Sequence, residues 1–238
     1  MTDNQSQAGQ TLEGVLAAST DRMRPVPAGA AMRWAGKVPP LLLDIWRRYG
    51  LARLAGGRLR LVDPARYQPL MNYVFNGDPD LGGDTHAVAL GDMGELVVWS
   101  ERHGYGFLSP VLCSLELPYL LVTDPPPADT QIADHLVMMP AARIEAWDDQ
   151  RKPLHDRLRA RLGPLEHDMI YAATPAPPRP GGTPVEDYLV ADALEWLEAI
   201  HTEMNVSIMD FRREPFQLRI VGQPWPPGMA AGRKKVPL

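Results

Sequence analysis

The side chains in this sequence that could do chemistry are few, and six of them are histidines: His86, His103, His135, His155, His167 and His201. One pairing invites a mechanism. His167-Asp168, with His135 upstream and Asp187 or Asp192 downstream, supplies two imidazoles and two carboxylates. Such a set can hold a divalent metal and activate water for phosphoester hydrolysis. The spacing matches no metal motif: H-E-x-x-H is missing, as are the G-x-S-x-G elbow and the glycine spacings that aim backbone N–H groups at phosphates. Gly56-Gly57 and Gly82-Gly83 read as turns. Carboxylates at Asp78/Asp80/Asp84, Asp148-Asp149 and Glu186-Asp187 read as solvated surface, since acid–base catalysis needs two held in different environments. Cys113, in the apolar run Val111–Leu115, reads as a small buried hydrophobe, and a single cysteine closes no disulfide within the chain. The residues support no catalytic, cofactor-binding or metal-binding assignment, and the expectation is a non-enzyme.

The 238 residues are 45% hydrophobic and 22% charged, enough to bury a core and too apolar for a disordered chain. The formal net charge of -5 gives no general attraction to phosphate backbones. It favours a basic partner, which acidic loops and helix faces would steer and select. The polar start Met1–Gln7 lacks the basic and apolar regions of a signal peptide, and no apolar run approaches the ~20 residues of a membrane span. The expectations are a cytoplasmic protein with a protein partner, no direct nucleic acid contact and no membrane.

The elements that must position these residues are marked by proline clusters, because proline fixes φ and lacks an N–H donor. Leu42, Ile45, Trp46 and Tyr49 share one helical face between Pro39-Pro40 and Gly50, which predicts a helix over 41–49. Leu59 and Leu61 alternate with Arg58 and Arg60 in a strand over 58–62. The next helix is expected to begin at Pro69, since that proline would break one running from Pro64. A hairpin follows over 85–90 and 95–99, turning at Gly91-Asp92-Met93-Gly94, with further strands at 105–108 and 111–115. Thr123-Asp124-Pro125-Pro126-Pro127 is the best boundary. Beyond it, Leu154, Leu158 and Leu162 mark a helix ending at Gly163-Pro164, and 169–174 reads as a strand. Thr183-Pro184-Val185-Glu186 has the pattern of a capping box and predicts a helix over 184–204.

The expected fold is α+β. An N-terminal mixed module of short antiparallel strands and helices precedes a more helical α/β module packed against it. The divisions are a polar segment with a short helix (1–25), the first module (26–122), the second (123–210), and a proline-rich, basic tail (211–238) carrying Arg233-Lys234-Lys235.

Two stretches resemble known families. Val38–Gly50, a proline-led helix ending in Trp46 and Tyr49-Gly50, precedes Gly57–Leu70 with its G-x-L-x-L-V-x-P-x-x-Y-Q-P spacing. Together with Gly91-Asp92 and Leu96–Trp99 these resemble the GAD-like domain. Leu162–Tyr171, followed by Pro175, Gly181-Gly182 and the 184–204 segment, resembles the C-terminal domain of type VI secretion immunity proteins, in which G-P-L-x-x-D-x-I-Y is the signature. The resemblance spans roughly 12–205. It departs from the pattern at Ala172–Pro180, which is proline-rich where that family is apolar.

The tandem resemblance implies an immunity protein: a stoichiometric inhibitor that binds and neutralises a cognate antibacterial toxin, a nuclease in many members. It also implies that His167-Asp168 belongs to a structural signature, with Asp168 capping a turn before a strand. Anchors for a basic nuclease domain are expected among exposed aromatic and acidic residues, namely Asp78, Asp80, Trp147, Asp148, Asp149 and Tyr188. The alternatives are a non-catalytic adaptor and a metal-dependent phosphohydrolase using His135, His167 and Asp168.

Overall fold

A strand whose successive residues are all apolar must be covered on both faces, because its side chains alternate between them. Leu96-Val97-Val98-Trp99 is such a strand, and it lies in the middle of an eight-stranded sheet. The computed structural model describes residues 12–18, 24–120, 122–175, 182–210 and 217–223. Six strands come first: β1 (Arg53–Leu54), β2 (Leu59–Leu61), β3 (Thr85–Gly91), β4 (Leu96–Ser100), β5 (Gly104–Ser109) and β6 (Ser114–Glu116). They lie side by side in sequence order, all antiparallel. β7 (Met169–Ala173) and β8 (Tyr188–Asp192) form a separate antiparallel ribbon. The chain then returns to the first sheet with β9 (Ser207–Asp210) and β10 (Gln217–Ile220). β9 joins β6 in parallel, Ser114 opposite Ser207 and Leu115 opposite Ile208.

Both faces of the sheet are buried. Val97, Trp99, Leu59, Leu61 and Phe107 point into a cluster roofed by α2 (Ala30–Trp34), α3 (Pro40–Tyr49) and α5 (Ala128–Ile132). α1 (Leu12–Ala18) adds Leu16 to that cluster. Leu96, Val98, Leu90, Leu108 and Leu115 point the other way, under α4 (Pro64–Val74) and α7 (Ala193–Glu203). The architecture is α+β, and the sequence-derived modules share one core: Trp196, Leu197 and Ile200 of α7 pack in one cluster with Leu70 and Met71 of α4. The ribbon has a core on each face. Ile170 and Ala172 join the α7 side, while Tyr171, Ala173 and Tyr188 meet Leu154 and Leu158 on the side of α6 (His155–Leu162). Among the described residues no helix is long and apolar enough to cross a membrane.

Local signals explain most elements. Pro40 opens α3, and Gly50 closes it at φ 62, its N–H bonded to Trp46 O. A Cβ on Gly50 would lie 2.5 Å from Arg24 O, so only glycine fits that close approach. Asp63 caps α4 by accepting the Ala65 N–H at 3.0 Å.

Four expectations are corrected. First, α4 starts at Pro64 and runs through Pro69. An interior proline costs about 3 kcal/mol. Burying Leu70 and Met71, each worth roughly 1.5–3 kcal/mol, offsets it. Second, the 184–204 segment is not one helix. Val185–Asp187 forms a short 3-10 turn, Tyr188–Asp192 pairs with β7, and α7 begins only at Ala193. Asp192 takes the cap role read for Thr183, accepting from the N–H groups of Leu194 (2.9 Å) and Glu195 (3.3 Å). Third, residues 110–113 are a turn before β6, with Cys113 at φ 47. Fourth, part of the expected tail is a strand, β10, fastened to the sheet through Arg219. The triplet Arg233-Lys234-Lys235 lies outside the described residues.

Candidate interaction surface and the adjoining arginine groove

The six expected anchors divide sharply once placed. Asp78 is buried beneath the sheet's end. Its carboxylate accepts from Arg219 Nη1 at 2.5 Å and Nη2 at 3.2 Å, and from the N–H groups of Gly222, Asp80 and Leu81. Burial alone would raise its pKa, but the Arg219 guanidinium and these N–H groups hold it below the usual carboxylate range. Asp80 is half-buried and shares Arg219 at 3.0 Å. Tyr188 is buried against α6, and that burial pushes its hydroxyl up to about 12. Asp148 is 3% exposed. The expectation of exposed anchors therefore fails for Asp78, Asp148 and Tyr188, whose polar groups are spent on holding the fold. Trp147, 56% exposed, and Asp149 remain at the surface.

Asp148 explains why Trp147 is presented so rigidly. Its Oδ1 accepts the N–H groups of Gln150 (2.9 Å) and Lys152 (2.8 Å), and its Oδ2 takes Arg157 Nη1. The N–H from Lys152 and the Arg157 guanidinium hold its pKa below the ordinary range. The loop closes on itself: Asp148 N bonds Lys152 O, Leu154 N bonds Ala146 O, and Trp147 pairs with Pro153. Glu145 Oε1 accepts from the N–H groups of Leu154 and His155 at the loop base. Gly182, at φ 108, packs so tightly that a Cβ there would lie 2.6 Å from Asp148 C. The indole thus sits on a loop with little conformational freedom left to lose.

The signature segment 162–171 forms one wall of a groove of about 790 Å³, whose lining includes Arg24, Arg53, Arg66, His167, Asp168 and Asp192. Asp168 binds Arg24 at 2.6 Å and lies 3.8 Å from Arg66. Arg66 also binds Asp192 at 2.6 Å. The expected turn-capping role of Asp168 gives way to these arginine pairs. His167 Nε2 donates to Leu61 O at 2.9 Å, and burial lowers its pKa to about 4, so the ring is neutral at pH 7. His135 lies elsewhere: it stacks on Tyr105 and bonds the Tyr119 hydroxyl, sharing no partner with His167. Among the described residues no group of three or more His, Cys, Asp or Glu is placed to hold a metal ion.

Beneath the groove lies one of the two arginines that alternate with Leu59 and Leu61 along the expected strand. Arg60 is fully buried. Its guanidinium donates to the carbonyls of Glu166 (2.8 Å), His167 (3.2 Å), Met169 (2.6 Å) and Gly91 (3.2 Å), and pairs with Asp92 at 3.1 Å. Burial pulls its pKa below the ordinary arginine value while Asp92 opposes the shift. Leu59 and Leu61 do alternate with Arg60, but the face that carries Arg60 is itself covered, by residues 166–169, more than a hundred positions away. Most of its partners are carbonyls of that far segment, joined by Gly91 O and the Asp92 carboxylate of the β3–β4 turn.

No curated protein matches this chain. The crystal structure of Atu4351 from Agrobacterium tumefaciens is similar over 86% of this chain and 94% of its own, with 21% identity and a TM-score of 0.79. That likeness shows a common fold. The family model of the GAD-like domain matches residues 10–108, which bears out the resemblance carried by Val38–Gly50 and Gly57–Leu70.

Proposed function

We propose that this chain is an immunity protein that binds a cognate antibacterial toxin of type VI secretion and neutralises it by stoichiometric inhibition. In this reading it acts by occupancy in the cytoplasm, without catalysis, and the toxin carries a basic nuclease domain. The class of partner rests on the resemblance at Leu162–Tyr171. The observation that carries a binding role is Trp147, an exposed indole on a loop locked by Asp148. Tryptophan is enriched among residues that dominate interface energies, and a pre-ordered loop loses little entropy when it docks. Nanomolar immunity corresponds to about -12 kcal/mol and normally needs roughly 1,600 Å² of buried surface.

The test is co-expression with the toxin encoded beside this chain, with DNA degradation measured at matched amounts. Wild-type protein is expected to stop degradation. Trp147→Ala is expected to weaken the complex by about 2–4 kcal/mol, roughly 30- to 700-fold in Kd. Continued degradation with equimolar wild-type protein would refute the immunity reading. Full protection and unchanged Kd with Trp147→Ala would refute only the anchor.

A further inference from the structure

We propose that two copies of this chain associate through β8, joining their ribbons into one four-stranded antiparallel sheet. In an antiparallel ladder, the N–H and C=O of alternate residues point to opposite edges. Thr174 N bonds Asp187 O at 2.7 Å and Ala193 N bonds Asp168 O at 2.9 Å, so bonded rungs fall on every second residue between them: Ala172 with Leu189, and Ile170 with Ala191. Tyr171 N accordingly points away from β8, to Asp92 O at 2.8 Å. Its cross-strand neighbour Val190 therefore turns both backbone groups outward, and among the described residues β8 pairs only with β7.

The carbonyl of Tyr188 and the side chain of Asp192, the flanking outward-facing residues, are already engaged. Arg161 Nη1 holds Tyr188 O at 2.9 Å, and Asp192 caps α7. One open rung at the centre of a five-residue strand suits a two-fold partner, in which Val190 exchanges both hydrogen bonds with Val190 of the partner subunit. That register has two further consequences. The exposed aliphatics meet: Val190, 38% exposed, faces its own copy, and Leu189, 44% exposed, faces Ala191 of the partner subunit. The charges also complement one another. Tyr188 lies opposite Asp192 of the partner subunit, so Arg161, which also holds Val185 O and Glu186 O, comes near a carboxylate that Arg66 binds within its own subunit, and the two-fold repeats the arrangement. A short edge with an open central rung and an aliphatic side chain on each face is a site for strand addition. This inference is independent of the toxin reading.

Sedimentation velocity on the full chain tests it, from roughly 1 to 300 µM, because an interface below ~1,200 Å² belongs to the weak, transient class. Wild-type protein is expected to pass from monomer to dimer. Val190→Pro removes an N–H that the ribbon does not use, and proline is tolerated where a strand's N–H faces outward. It is expected to stay monomeric with unchanged circular dichroism and melting. Leu189→Lys keeps the backbone intact and is expected to do the same, so the proposal stays testable if the proline variant misfolds. A wild-type monomer throughout overturns the proposal, leaving the edge to another protein or to a segment of this chain. A dimer that survives Leu189→Lys, or a well-folded Val190→Pro that dimerises, overturns it as well.

Discussion

Replacing Arg60 by methionine keeps the length and apolar stem of the side chain and deletes every donor. Four carbonyls lose the guanidinium at once: Gly91 O and Glu166 O keep the N–H groups of Gly94 and Met169, while His167 O and Met169 O lose the donor that Arg60 supplies. Asp92 keeps only His155, whose Nδ1 lies 3.1 Å away. Breaking a buried ion pair by removing one member costs about 3–5 kcal/mol, because the remaining charge stays desolvated. Each carbonyl left unsatisfied adds about 1–3 kcal/mol, less where water can enter from the groove. Arg60→Met is therefore expected to lose at least about 5 kcal/mol, a large share of the 5–15 kcal/mol typical of a folded domain. Urea denaturation at neutral pH measures it. The double variant with Asp92→Asn is expected to recover roughly 2 kcal/mol, because the orphaned charge is gone. A loss below about 1 kcal/mol with an unchanged urea slope would refute the reasoning, since the guanidinium would then contribute no more than a surface contact.

Glu95 is buried in the β3–β4 hairpin, and burial raises its pKa to about 7. Its neutral form is the one the fold favours, so stability is full below about pH 4.5 and is lost as pH rises through 7. Glu95→Gln is expected to stabilise by about 3 kcal/mol at pH 8 and by nearly nothing at pH 4.5, read from urea midpoints across that range. His201 acts in the opposite sense. Burial lowers it to about 4, and among the described residues neither ring nitrogen has a hydrogen-bond partner, so stability falls as pH drops from 6.5 towards 4. His201→Leu is expected to remove about 3 kcal/mol of that acid loss, measured by melting at pH 4 against pH 7. Arg219→Met strands Asp78 and is expected to cost about 3–5 kcal/mol. It should release β10 first, seen as lost hydrogen-exchange protection at the Val221 N–H, which bonds Val206 O.

What the sequence made legible were elements whose cause is local. α3 carries its own start, stop and apolar face, and the β3–β4 hairpin carries its turn at Gly91–Gly94. What it hid were choices settled by distant partners. Thr183-Pro184-Val185-Glu186 satisfies the capping-box pattern, yet β7 offers Tyr188–Asp192 a ladder, and Asp192 is itself a good cap. Pro69 stays inside α4 because the buried face beside it offsets the lost hydrogen bond. The candidate site followed the same division. Trp147 was legible as an aromatic beside an acidic pair. Asp78 and Asp148 were misplaced at the surface because their partners, Arg219 and Arg157, give no sign in the sequence of bending towards them.

The parallel pairing of β6 with β9 bears on how the chain reaches this state. Ser114 cannot meet Ser207 until the chain has been synthesised past residue 207, and loop closure over that span is entropically costly. Until then the sheet ends at β6 with an open edge, and the face over Leu96 and Val98 lacks the roof that α7 provides. A ribosome-bound intermediate would therefore display both an unpaired strand and bare aliphatic surface, the two features that recruit chaperones or seed aggregation. The rate of acquiring the native state should accordingly be governed by the arrival of residues 193–210, and truncation before them should yield an insoluble product rather than a smaller folded domain.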